Sequence, residues 1–490
     1  MFARKKVLIA VLIALGIPLL VAAAILAIWL FWPRPALKLD PDTTFVTGPL
    51  YPDGTVDYVA AYNAIMEKGV TPQNNAAIPL IEALVDRRDL RRHWKQELRA
   101  LGMRQRQLPK TSLPEYSAWR ADYEKTLPIG ARKAPPSGFA PNRHPPEHCP
   151  WSANKHPLLA KFLLSQKQRL RLVRQAVKRP RLFFPLPQPA RAPYMMRASP
   201  GPLSQIQHAG RDLCRQAMFE LQRRRLRACL RDLRAVSRLA ALMSQGHALS
   251  YEIGLELRWV AAEDYCAIAC AMCGRHPVAP AGLQIAPPKL LLARSTAGLE
   301  YRFSALDAAM SLFRAADAVT NAHGVKPLPL NENFILRKLN TQYNRLAGAL
   351  SAPTFTAATL QLRLAKRQFL KWQHEKSVDP SMALFQRLDS TLWPSLIGEI
   401  SLQYEGKTAW RLAQIAMALA KYRQKHSAFP ATLSALRGKN AKFDNLDPFS
   451  GHAFDYQRTA AGCIVSSVGP SPNMSPESKE RHGVLLKMPN

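Results

Sequence analysis

Val7 to Leu30 constrains this chain more than any other stretch. It reads VLIAVLIALGIPLLVAAAILAIWL and carries no charged residue. As a helix rising ~1.5 Å per residue it would run ~36 Å, enough to cross a ~30 Å hydrocarbon core with some tilt. Arg4, Lys5 and Lys6 precede it, and Trp29, Phe31 and Trp32 close its far end. Cations stay on the cytoplasmic side and Trp rings favour the interfaces. The expectation is a single-pass cell inner-membrane protein, N-terminus cytoplasmic, with the periplasmic bulk after Pro33. A cleaved signal peptide is the rival reading, and Ala22 to Ala24 would suit one. Signal h-regions run only ~7–15 residues, which favours an uncleaved anchor. Pro18 would bend the helix, a defect that membrane helices tolerate.

Charge limits the partners. Against 34 Asp and Glu stand 68 Lys and Arg, a formal charge of +34 in 490 residues. Such a balance usually points to nucleic acid, but a periplasmic location argues for no nucleic acid and for anionic lipid or an acidic envelope polymer instead. Seven cysteines, an odd number, leave at least one thiol unpaired. Most are expected to be buried thiols acting as small apolar groups.

Four segments follow from composition: an anchor (1–33), a Pro-rich extended stalk (34–55), an α-helical domain with Pro-rich loops (56–390) and an α+β region (391–490). The expected fold class is therefore mainly α, with one transmembrane helix, a hairpin-rich extracytoplasmic domain and a small C-terminal unit containing a β-hairpin. Gly69 stops a first helix, and Thr71-Pro72 supplies N-cap and N1 chemistry for the next. The phrase GVTPQNNAA, Gly69 to Ala77, resembles a segment of membrane-anchored planctomycete proteins to which no activity is attached. That resemblance implies architecture alone.

Leu226, Leu230, Leu233, Val236, Ala240 and Met243 step along one helical face. Ser250 to Cys273 is the expected return helix of a hairpin. Arg223, Arg224, Arg225 and Arg227 crowd its start and are the candidate anionic-surface-binding residues. The competing view is a solvated face whose Arg stems shield the apolar stripe. Cys266, Cys270 and Cys273 share the x3, x2 spacing of a radical-SAM cluster. Inside an apolar helix, the same spacing is a core stripe, so no cofactor is expected. His144, Glu147, His148 and Cys149 invite a zinc reading, but Pro145 and Pro146 forbid the helical HExxH geometry.

From Trp410 the chain changes character. A helix ending KYRQKHSAFP precedes DPFSGHAFDY and a strand ending SSVGP. This order resembles the tail of type II secretion pseudopilins, over roughly Trp410 to Ser471. The resemblance implies a small α+β packing unit, with a secretion-machinery protein as one candidate partner. The pilin leader and its Glu-bearing helix are absent at the N-terminus. Ser471 to Ser475 offers no carboxylate for the calcium that such tails often hold. Asp447 and Gly451 are expected to shape a turn.

Two functional readings follow. The first is a non-catalytic envelope scaffold or interaction protein. The alternative is an envelope hydrolase assembled from scattered residues, with His144, Glu147, His148 and Asp264 as the side chains to test.

Overall fold

A computed structural model of the chain describes residues 35–85, 95–103, 113–126, 148–198, 201–273, 297–323, 330–377, 379–392, 395–436, 445–471, 475 and 484–489. The expected anchor lies outside them, as do His144 and Glu147. Among the described residues no helix is long and apolar enough to cross a membrane. They form fourteen α-helices and one small antiparallel sheet, so the fold is mainly helical.

The helices are α1 (Tyr58–Glu67), α2 (Ala77–Leu84), α3 (Lys95–Ala100), α4 (Tyr116–Lys125), α5 (Pro157–Ala176), α6 (Tyr194–Arg197) and α7 (Leu203–Gln222). They continue as α8 (Leu226–Met243), α9 (Ala248–Cys273), α10 (Ala297–His323), α11 (Glu332–Leu350), α12 (Phe355–His374), α13 (Pro380–Leu392) and α14 (Ser395–His426). Strands β1 (Asp455–Thr459), β2 (Gly462–Ser466) and β3 (Leu485–Pro489) follow, in the order β1-β2-β3.

α9 is the axis. Apolar residues occur almost all round it, from Tyr251 and Leu255 to Ile268 and Met272, as befits a helix surrounded by others. It packs most extensively on α14 and also on α7, α8 and α10. The α8–α9 hairpin is closely fitted at Gly254, where a Cβ would come within 2.8 Å of the Ala240 carbonyl. The sheet rests on this same core, because Phe454, Cys463, Val465, Leu486 and Met488 are buried in it with the α8 and α9 side chains. A second cluster joins α1, α10, α11 and α13 around Phe303 and Phe385. A third joins α11, α12 and α14 around Tyr343, Tyr404 and Phe449.

Several expectations are amended. The C-terminal hairpin is a three-stranded sheet, since β3 adds to β2 with Ile464 opposite Lys487. Helix α14 begins at Ser395, directly after Pro394, and runs on through the Trp410 stretch. A further helix, α7, precedes the hairpin, and Arg223 to Arg225 lie in the α7–α8 turn and not on the first hairpin helix. The segment expected as a stalk is extended but docked. Asn333 on α11 donates Nδ2 to the Ala36 carbonyl (2.8 Å) and accepts the Lys38 N–H at Oδ1 (2.8 Å). Asn340 donates to the carbonyl of Asp42 (3.1 Å), and Tyr58 to that of Thr44 (3.1 Å).

The GVTPQNNAA phrase has a structural reason. Asn75 bridges the backbone of Phe183 in both directions, at 3.0 Å each way. Ala76 N–H donates to the Arg181 carbonyl and Arg181 N–H to the Asn74 carbonyl. The phrase thus fastens the start of α2 to the extended chain after α5. The DPFSG turn is likewise explained. Asp447, 1% exposed, accepts from the N–H groups of Phe449 and Val468 (both 3.0 Å) and from the Ser467 hydroxyl (2.7 Å). Gly451, at φ +74°, turns the chain back.

Candidate functional site

A groove of about 430 Å³ lies between α9, α14, β3 and the loop 148–150. Helical spacing explains its floor, since Glu263, Cys266, Ala267 and Cys270 recur on one face of α9. β3 supplies Leu485 to Lys487 on the other side, and α14 supplies Ala409 and Leu412. Trp151 pins the loop, donating its indole N–H to the Arg215 carbonyl (2.8 Å) and packing on Phe219.

Here the structure unites two of the four scattered residues. His148 Nδ1 lies 3.2 Å from Asp264 Oδ1, and its Nε2 lies 3.1 Å from Glu263 Oε2. Asp264 is fully buried, and burying a carboxylate without a counterpart is costly. Both ring nitrogens thus face carboxylate oxygens. Glu263 was not anticipated. It stands next to Asp264, but no motif marks it, and only the fold brings His148 across to it.

The thiols beside this clamp are held neutral. Burial pushes Cys266 well above the usual thiol range, and Cys270 and Cys463 up to about 11, with neighbouring thiols adding to the shift. Burial raises Cys273 too, against the opposing pull of Arg423. A thiol with a raised pKa is a poor nucleophile and a poor metal ligand at neutral pH. None of the seven cysteines forms a disulfide, and Cys149 is the exposed one. Among the described residues no group of three His, Cys, Asp or Glu is placed to hold a metal ion. The cysteine trio divides, Cys266 and Cys270 lining the groove and Cys273 being buried. The groove is therefore an apolar trough with thiols on its floor and a His148–Glu263–Asp264 cluster at one end.

The arginine turn is a separate feature. Arg223, Arg224, Arg225 and Arg227 are all exposed. The turn is a Schellman motif: Arg225 N–H donates to the Glu220 carbonyl and Arg224 N–H to that of Leu221, both at 2.9 Å. Arg224 occupies the left-handed position at φ +58°, where glycine is usual. Arg223 lies over the Phe219 ring at 5.2 Å, and Arg225 reaches Glu220 at 3.7 Å. Asp232, on α8, is buried against Arg174 (2.6 Å) and also meets Arg231 (3.4 Å).

Comparison of the chain with protein-family models, with curated proteins and with solved structures yields no match.

Proposed function

We propose that the protein is a single-pass membrane-anchored envelope protein whose helical body acts as a non-catalytic scaffold or interaction surface. The observation that carries the non-catalytic reading is the His148 clamp. A general base needs one ring nitrogen turned towards a substrate proton. Here both nitrogens face carboxylates, and Cys266 and Cys270 on the groove floor are held protonated. Such a site is fitted to bind an apolar segment, not to attack one. The anchor rests on Val7–Leu30 and its flanking charge asymmetry. The exposed Arg223, Arg224, Arg225 and Arg227 offer a contact for an acidic envelope polymer, and the pseudopilin-like tail keeps a secretion-machinery protein among the candidate partners.

The hydrolase alternative has one specific support, the 3.2 Å contact of His148 with buried Asp264. One experiment separates the two. The full chain and its His148→Ala and Asp264→Asn variants are compared on ester, amide and phosphoester reporter substrates. Equal background turnover by all three is the expected result. Turnover that collapses in the variants would establish the hydrolase. A periplasm-active reporter fused after Asp40 should give signal, and a cytoplasm-only reporter at the same site should not.

A further inference from the structure

Helix α12, FTAATLQLRLAKRQFLKWQH, contains no acidic residue. One side buries Ala358, Leu362, Ala365 and Trp372. The opposite side exposes Leu360, Leu364 and Leu370, at 56%, 52% and 41%. These are three of the twelve large apolar side chains exposed among the described residues, more than any other helix presents. Arg363, Arg367 and Lys371 are interleaved with them, also exposed. Helical spacing places all six on a single strip. Apolar side chains alternating with cations and no anions match the interfacial zone of an anionic bilayer, where leucines enter the acyl boundary and cations meet phosphate.

The path of the chain brings this helix to the membrane. Ala36 and Lys38 are clamped by Asn333 in the first turn of α11. Ala36 is only four positions along the chain from Trp32 at the end of the apolar stretch, ~14 Å at full extension. α12 packs along the same helix. Lys338 of α11 sits 4.6 Å from the Trp372 ring and 5.3 Å from that of Phe334, so the C-terminal half of α12 lies where the chain arrives. The arginine turn lies elsewhere. It sits at the N-terminal end of α8, ~27 Å along that helix from its other end. At that other end Ala248 meets Glu300 at the start of α10.

We propose that the Leu360–Lys371 face of α12 lies on the anionic surface of the membrane beside the anchor, fixing the orientation of the body. The orientation rests on the anchored reading above, whereas the affinity of the face rests on its own residues.

The test places a benzophenone amino acid at position 364, 224 or 358 of the full chain, reconstituted in nanodiscs of phosphatidylglycerol or phosphatidylcholine. Position 364 should crosslink to lipid in phosphatidylglycerol at least tenfold more than in phosphatidylcholine. Positions 224 and 358 should crosslink little in either. Changing Arg363, Arg367 and Lys371 together to Gln, which leaves the buried side intact, should cut crosslinking at 364 at least tenfold, because each near-surface cation contributes severalfold in affinity. Crosslinking at 364 that is absent, indifferent to lipid charge or matched at 224 would overturn the proposal. Alkaline extraction of the same membranes tests the anchor separately. A chain that is stripped off refutes the tethered orientation, while charge-dependent crosslinking at 364 in that sample would still support the face.

Discussion

Glu399 offers a quantitative test of the core that joins α9 to α14. Its side chain is 3% exposed, and among the described residues neither carboxylate oxygen has a hydrogen-bond donor. Burial pushes its pKa up to about 9, and the carboxylates of Glu252 and Glu300 raise it further towards that value. An unfolded glutamate ionises near 4.5. Between those two values the folded state holds a proton that the unfolded state has lost, so stability falls as pH rises. The slope is about 1.4 kcal/mol per pH unit, or about 3 kcal/mol between pH 6 and pH 8. Below pH 4.5 the contribution is fully present, and above about 9 it is gone. Glu399→Gln keeps the shape and cannot ionise. The assay is urea unfolding of the full chain in mild detergent at pH 6, 7 and 8. The stability gap between variant and parent should widen by about 3 kcal/mol over that range. The remaining ionisable groups are common to both proteins and cancel in the difference. A gap that stays constant with pH would refute the neutral, buried Glu399.

Gly462→Ala should unseat β3, because at φ +143° a Cβ would come 1.9 Å from the Met488 carbonyl oxygen; exchange protection of the Cys463 to Ser466 amides should be lost. Gly254→Ala should cost about 1–3 kcal/mol through the Ala240 carbonyl, read as a lower unfolding midpoint. His148→Ala should cost about 2–4 kcal/mol by removing a partner of buried Asp264, and His148→Ala/Asp264→Asn together should recover part of it. Purified protein should carry no stoichiometric iron, and replacing Cys266, Cys270 and Cys273 together by Ala should cost ~1 kcal/mol apiece; an absorbing chromophore at equimolar iron would contradict this.

Much of the helical framework was legible in the chain because its signals are local. The 3.6-residue stripe from Leu226 to Met243 marks a real element, α8. The α7–α8 boundary was not legible, for an equally local reason. Helix ends are read from Gly, Asn or Pro, and here an arginine holds the left-handed position, so the turn resembles helical sequence. β3 was missed because LLKMP follows a long polar stretch and gains its role only by pairing with β2. For the site, His148 and Asp264 could be named as ionisable groups in apolar company. Their meeting across 116 positions, and the addition of Glu263, are products of the tertiary fold.

The Pro-rich connections raise a backbone problem whose solution links the fold to the proposed orientation. An extended segment outside a sheet has no ladder partner, yet its peptide groups are costly to bury unpaired. Asparagine presents a donor and an acceptor in one plane and can pair with a backbone C=O and a nearby backbone N–H at once. Among the described residues three asparagines pair in this way. Asn63 brackets Leu186, donating to its carbonyl (2.9 Å) and accepting its N–H (2.8 Å). Asn75 does the same for Phe183, and Asn333 spans Ala36 and Lys38. The first two hold the Pro-rich chain after α5 onto α1 and α2, and the third holds the N-terminal segment onto α11. Replacing Asn333 by Ala would leave the Lys38 N–H without its partner and release that segment, costing about 1–3 kcal/mol locally. In the anchored reading, release would also let the body drift from the bilayer. Lipid crosslinking at position 364 should then fall in Asn333→Ala even though every residue of the α12 face is intact. Unchanged crosslinking in that variant would mean that the α12 face alone, and not the short tether, sets the orientation.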